Sequence, residues 1–268
     1  MLFRSGAYRH VSVSSTGQYQ TVATFNSTLF TSSDYGINWI ARDSTRNWQS
    51  VSLSSTGQYQ SAVVFASPNR YIYTSSDFGA SWNPRPQFTG AWRSISLSST
   101  GQYQSAGFND ASGAIFTSSN FGVNWVQRSA TTQTNAFTRI RSSANGQYQI
   151  ATSGPVGNAN GHLYVSSNYG QTWMPRRGGG SWIVNAVSAT GSIMMTAMPS
   201  QTISVRNALL YNPDIYLDAT SYNGTIWSNQ GSITVDVSMS SMGSFDAADN
   251  GGSFNFNGTT NWARIDVS

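Results

Sequence analysis

The stretch SSTGQYQSAVVFASPNRYIYTSSDFGASW, residues 54–82, holds in one piece the pattern that decides the fold. Just before it, in NWQSVSLS, Trp48, Val51 and Leu53 alternate with polar residues, as on a half-buried strand. Ser55-Thr56-Gly57 is a turn by composition. QYQSAVVF, residues 58–65, is a second strand with a nearly all-apolar end, as a strand covered on both faces would have. Pro68-Asn69 breaks it, Tyr71 to Thr74 supply a third strand, SSDFGAS turns the chain and Trp82 opens a fourth. Four short antiparallel strands make one blade of a propeller.

The same text recurs. GQYQ stands at residues 17–20, 57–60, 101–104 and 146–149, with a degraded fifth copy starting at Gly191. A second phrase, S-x-[DN]-x-G-x-x-W, alternates with it as TSSDYGINW, TSSDFGASW, TSSNFGVNW and VSSNYGQTW, ending at Trp39, Trp82, Trp125 and Trp173. A repeat of about 40 to 45 residues with strand-like filling marks a propeller. Complete repeats run over 8–42, 48–86, 92–128 and 137–176, and a fifth from Trp182 to Arg206 lacks the box and a fourth strand. An arginine follows each box tryptophan by three residues, at Arg42, Arg85, Arg128 and Arg176, and Arg4 stands at the same distance from Met1. The N-terminal segment is therefore expected to be the fourth strand of blade five. The fold class is all-β: a five-bladed propeller of four-stranded antiparallel blades over 1–206, then a small β-sandwich-like segment over 207–268. The repeated arginines are expected to stack on an aromatic or carbonyl of the neighbouring blade rather than form a cationic ring.

Composition agrees. All 14 cationic side chains are arginine, all 10 acidic ones are aspartate, and cysteine is absent. Without lysine and glutamate helices are disfavoured, and without cysteine disulfides and thiolate metal sites are excluded. The net charge of +4 is modest, and Arg176-Arg177 is the one adjacent arginine pair, so no nucleic-acid footprint is expected. MLFRSGAYRHVS turns polar too early for a secretory signal, and no apolar run is long enough to span a bilayer. A charge-poor, aromatic-rich chain suits an extracellular or virion protein.

The second phrase resembles the Asp-box of the BNR/sialidase and sortilin propellers, where it forms the hairpin between the third and fourth strands. Its chemistry is structural. Asp34, Asp77, Asn120 and Asn168 would accept backbone N–H bonds at the turn, and Gly36, Gly79, Gly122 and Gly170 would take a positive φ. Trp39, Trp82, Trp125 and Trp173 would pack over it. Asparagine in two of the four boxes argues against a catalytic carboxylate there. SSTGQYQ resembles the repeat arrays of surface proteins of large DNA viruses and of microbes. LLYNPDIYLDATSYNGTIWSNQGSITVDV and NGGSFNFNGTTNWARIDVS resemble the opening of a concanavalin A-like, laminin G type jelly roll. That resemblance implies a partial sandwich, and no calcium site carries over.

Sialidases of the Asp-box class use a glutamate-activated tyrosine, and this chain has no glutamate. Other Asp-box glycosidases use two aspartates, which must stand roughly 5 to 10 Å apart across the sugar. The propeller offers only Asp43 and Asp110 outside the boxes. His10 and His162 have no cysteine or carboxylate spaced for a metal, so no catalytic residue, metal or cofactor is assigned. The loops from second to third strand and between blades hold Arg46, Asn69, Arg70, Asn109, Asp110, Asn158, Asn160, His162 and Arg177, with Trp48, Trp92 and Trp182 nearby. Such a polar and aromatic set suits sugar hydroxyls and ring faces, and equally a protein partner. The expected function is that of a non-enzymatic virion or extracellular surface protein acting in assembly, attachment or glycan binding. Its expected partners are itself or other surface proteins, through the C-terminal strands. The alternatives are an Asp-box glycoside hydrolase acting on a polysaccharide and an intracellular assembly scaffold.

Overall fold

The computed structural model describes residues 7–66, 70–109, 114–128, 137–154, 161–178 and 184–198, and the backbone of seven further strands between 202 and 267. Every described element is a strand. Four antiparallel sheets follow one another, each a meander of four strands in chain order. Blade one is β1 (Ala7–Val13), β2 (Gln20–Phe25), β3 (Ser27–Ser32) and β4 (Ile40–Arg46). Blade two is β5 (Trp48–Leu53), β6 (Gln60–Val64), β7 (Ile72–Ser75) and β8 (Asn83–Arg85). Blade three is β9 (Trp92–Leu97), β10 (Gln104–Phe108), β11 (Ile115–Ser118) and β12 (Val126–Arg128), and blade four is β13 (Phe137–Ser142), β14 (Gln149–Ser153), β15 (His162–Ser166) and β16 (Met174–Gly178).

Sheets with two apolar faces must be stacked, and the core lies between the blades. Trp48, Val51 and Leu53 of β5 pack on Ala23 and Leu29 of blade one. Trp92, Ile95 and Leu97 meet Val63 and Ile72 of blade two, and Phe137 and Ile140 meet Ile115 of blade three. Inside these layers sit three glutamines, each bonded to a hydroxyl of the blade before. Gln60, only 1 % exposed, donates from Nε2 to its own turn at Gly57 O (3.0 Å) and accepts from Thr21 Oγ1 of blade one (2.6 Å). Gln104 repeats this with Gly101 O and Ser61, and Gln149 with Gly146 O and Ser105. The turns link as well: Ser15 N donates to Ser55 O, Ser55 N to Ser99 O, Ser99 N to Ala144 O and Ala144 N to Ala189 O.

The tyrosine of GQYQ closes the contact. Tyr19, Tyr59, Tyr103 and Tyr148 lie on the turn glycine of the following blade, where a Cβ on Gly57, Gly101, Gly146 or Gly191 would stand within 2.4 to 2.7 Å of the ring or its Cβ. Tyr19, Tyr59 and Tyr103 also meet the next box aromatic, Phe78, Phe121 and Tyr169, at 4.5, 4.4 and 4.3 Å between centroids. Those three aromatics have φ of 59°, 60° and 60°. A bulky residue there is strained, and the stacking contact offsets that strain.

The fifth repeat, β17 (Val184–Val187), β18 (Ile193–Met198) and β19 (Thr202–Asn207), departs from the rule in a matched way. Met194 stands where Gln20, Gln60, Gln104 and Gln149 stand, and the serine or threonine that faces it is replaced by Ile150. Ile150, Leu163 and Met194 form an apolar cluster, so the polar link is exchanged for burial on both sides at once.

β20 (Asp214–Tyr222) pairs with β19 through Ser204–Tyr216, Val205–Ile215 and Arg206–Asp214, and the expected N-terminal fourth strand falls on residues outside those described. Residues 1–6 lie outside the described residues. The other half of β20 pairs with β21 (Ile226–Asn229), followed by β22 (Val235–Ser240) and β25 (Trp262–Val267), with β23 (Phe245–Asp246) and β24 (Ser253–Phe254) as a separate hairpin. In backbone pairing these strands follow β19 in one order. A nine-residue β20 is long enough to pair at both of its ends.

Among the described residues, apolar side chains stand exposed on the first and the fifth sheet. Tyr8, Val11 and Val13 on β1 are 48 %, 56 % and 49 % exposed, and Ile193 and Met195 on β18 are 47 % and 41 %.

Gln104→Met would leave the Ser61 hydroxyl and the Gly101 carbonyl without partners, at a cost of about 1 to 3 kcal/mol. The pair Ser61→Ile/Gln104→Met copies the Ile150–Met194 arrangement and should recover part of that loss. Denaturant melts of the three proteins check this, and strict additivity of the two single changes would contradict it.

Candidate binding site

The boxes are built as turns. In blade two, Ser75 Oγ donates to Asp77 Oδ1 (2.7 Å), Ser81 N donates to the same oxygen (2.9 Å), and Ser81 Oγ donates to Oδ2 (2.6 Å). Asp34 is held likewise by Ser32 and by the backbone and side chain of Asn38. Asn120 and Asn168 accept the equivalent backbone bonds from Asn124 and Thr172. Each box indole donates to the carbonyl of its own glycine: Trp39 to Gly36, Trp82 to Gly79, Trp125 to Gly122 and Trp173 to Gly170. The bonds from Asn38 and Ser32 hold the exposed Asp34 carboxyl below its ordinary pKa. For Asp77 burial pushes up, and the bonds from Ser81 and Ser75 outweigh it, so its pKa too is lowered. Both carboxylates are thus satisfied within their own hairpins.

The arginines after the boxes correct an expectation. Arg42, Arg85 and Arg128 donate from Nε to Thr31, Thr74 and Thr117 of the same blade, at 3.1, 2.9 and 2.9 Å. The methyls of those threonines would lie 2.7 to 2.9 Å from a Cβ on Gly79, Gly122 or Gly170 of the next blade. Arginine therefore braces a threonine that holds the neighbouring box, and does not itself stack on the next blade. In blade four Val165 replaces the threonine, and Arg176 is exposed.

Among the loop-face residues, the structure describes the side chains of Arg46, Arg70, Asn109 and His162. Arg46 is ion-paired with Asp43 (3.4 Å) and lies 4.7 Å over the Tyr73 ring. Arg70 is exposed, and its carbonyl accepts from Gly90 N and Trp92 Nε1, both at 3.0 Å. Asn109 N donates to Ala91 O at 2.7 Å. His162 begins β15, with its amide donating to Ser153 Oγ at 3.2 Å. Arg177 is opposite Leu163 in the ladder of blade four. Asn69, Asp110, Asn158 and Asn160 lie outside the described residues, as does Trp182. Trp48 and Trp92 were read as platforms for sugar rings, but both are 0 % exposed, because each seals the layer against the preceding blade.

What the sequence reading passed over is the hub. His10 Nε2 on β1 is 3.5 Å from Arg141 Nη2 on β13, which brings blade one and blade four together. Burial first, and then the positive charge of Arg141, lower the His10 pKa to about 4 against a backbone bond at Val51 that raises it. The signal in the sequence was positional: the first-strand place filled by Ser12, Ser52 and Ser96 becomes Arg141 in blade four. A recess of about 120 Å³ lies on the box face between Asn120, Asn124 and Arg128 of blade three and Tyr169 and Gln171 of blade four.

The family model for the BNR-Asp box repeat matches residues 29–41 and 115–127, the first and third boxes. No curated protein matches the chain. Similar solved structures include YCF48 from Cyanidioschyzon merolae, at 13 % identity and a TM-score of 0.56 over 88 % of this chain and 83 % of that one. The GH74 xyloglucanase from Xanthomonas campestris gives 14 % identity and a TM-score of 0.58, over 88 % of this chain and 42 % of the enzyme. Hydrazine synthase from Kuenenia stuttgartiensis gives 10 % and 0.56, over 74 % of this chain and 64 % of that one. These likenesses establish the propeller-like fold that the Asp-boxes announce.

Trp125→Ala, at a site only 2 % exposed, should cost about 3 to 5 kcal/mol as a large-to-small change. Asp77→Asn should be mild, since Asn120 and Asn168 already fill that role, and thermal melts compare the two. The depressed His10 pKa has a definite sign. The unfolded imidazole takes up its proton near pH 6.5 and the folded one only near 4, so stability is full above about 6.5 and falls as pH drops through that window. His10→Gln should flatten the fall, as measured by the unfolding midpoint against pH.

Proposed function

We propose that this chain is a non-enzymatic propeller acting in assembly or attachment, on a virion or extracellular surface. One observation carries the reading. Val11 and Val13 are exposed by 56 % and 49 %, while Val51 and Leu53, in the same places on blade two, are exposed by 0 % and 8 %. Apolar side chains exposed in places that are interior elsewhere in the array call for a covering surface. In this reading five blades occupy residues 1–206. The laminin G-like segment 207–268 contributes edge strands that pair with another copy or another surface protein, and the loop face takes glycans.

The placement of acids supports a role without hydrolysis. Among residues whose side chains the structure describes, the carboxylates are Asp34 and Asp77, bound within their boxes, and Asp43, paired with Arg46. A protein of this fold, YCF48, has been solved bound to a D1 peptide, which supports binding as the mode of action. The likeness to a xyloglucanase keeps the glycoside hydrolase as the second reading.

Light scattering on the full chain should show self-association at micromolar concentration, reduced by Val11→Arg with the fold intact. A monomer whose behaviour Val11→Arg leaves unchanged would contradict the assembly role. Xyloglucan, β-glucans and sialosides should not be turned over. Turnover abolished by Asp43→Asn or Asp110→Asn would overturn the non-enzymatic reading.

A further inference from the structure

The innermost strands carry more positive charge than the fold requires. Arg9 and His10 stand on β1, Arg93 on β9, and Arg139 and Arg141 on β13. These strands run side by side, tied where Leu53 N donates to Ser12 Oγ, Leu97 N to Ser52 Oγ, and Ile140 N to Ser94 Oγ, at 3.1 Å each. Hydroxyls suffice for that tie. Blade four nonetheless substitutes guanidinium at both positions, Arg139 in the place of Ser50 and Ser94, and Arg141 in the place of Ser12, Ser52 and Ser96.

The cluster lacks an answering negative charge among the described residues. The ion pair that the structure records is Arg46 with Asp43, outside this group. Arg141 Nη1 finds only the Ile140 carbonyl (2.9 Å), and Nη2 approaches His10, a neighbour that brings no negative charge. Arg93 Nε is buried without a hydrogen-bond partner. Arg9 and Arg93 keep their planes over Phe25 and Phe65, at 4.7 and 4.1 Å, so their stems are held while the edges of the forks stay available. The local potential is strongly positive: burial and then Arg139 lower the Arg141 pKa, and burial and then Arg9 lower that of Arg93. A desolvated guanidinium with no anion is costly to keep, and two planar forks on the same face of one strand, Arg139 and Arg141, match a tetrahedral oxyanion.

We propose that the hub is a binding site for an oxyanion of the phosphate or sulfate class, held by Arg139 and Arg141, two residues apart on β13, and flanked by His10, whose Nε2 is 3.5 Å from Arg141 Nη2. The proposal stands on the hub alone and does not depend on the assembly role.

Isothermal titration of the full chain with inorganic phosphate, against sodium chloride of matched ionic strength, tests it. Saturable binding of one phosphate is expected. Arg141→Gln should weaken it about tenfold or more, since one or two charge-assisted bonds are removed. Arg139→Gln, at an exposed position, is the variant least able to disturb folding and should weaken binding by a smaller factor. A sugar phosphate titrated in parallel separates the sources: tighter binding than inorganic phosphate points to a phosphorylated glycan, and equal binding to the free ion. No heat beyond the chloride control, or unchanged affinity in Arg141→Gln, overturns the proposal. So does binding that appears only after Asp110→Asn, because a carboxylate of the chain itself would then fill the hub.

Discussion

The buried glutamine of each GQYQ is the constraint on which the rest of the array depends. Gln60, Gln104 and Gln149 are buried between blades, each bonded to its own turn and to a hydroxyl of the blade before. A buried amide with any partner missing is costly, so the two blades can meet in one register only. Around that fixed point the tyrosine of one blade covers the turn glycine of the next, and the arginine-braced threonine meets the box glycine. Glycine is required at these turns twice over: φ near +80° at Gly57 and Gly101 disfavours a side chain, and the tyrosine leaves no room for one.

Much of this was legible in the sequence. The alternating residues of NWQSVSLS, the two phrases and their period gave the blade, its four strands and its turns. The box residues sit where a turn needs an acceptor, a left-handed glycine and a covering indole. What periodicity could not disclose is which side chains reach across blades. A repeat unit shows what is common to all copies, and a contact between copies shows itself only where both partners change together, as Ile150 and Met194 do. The sugar platforms failed for a related reason: Trp48 and Trp92 look like available aromatics in the text, and only the neighbouring blade makes them interior.

The hub was overlooked because its residues belong to no motif. Arg139 and Arg141 are exceptions within their repeat, and exceptions to a structural pattern are where a function can be added without disturbing the fold. The loop-face candidates were legible only as a composition. Of those the structure describes, Arg46 is engaged with Asp43 and Tyr73, and Arg70 and Asn109 fix the start of blade three through their backbones.

Linkage between blades is the central claim, and hydrogen exchange at single amides tests it most directly. Ser55, Ser99 and Ala144 lie in or beside turns, where amides ordinarily exchange quickly, yet each donates to a carbonyl of the following blade at 2.7, 2.6 and 2.8 Å. The account predicts that these three amides exchange as slowly as those of the strands they follow, since only separation of the blades would free them. Exchange at the rate of an open turn, with the strands still protected, would contradict it.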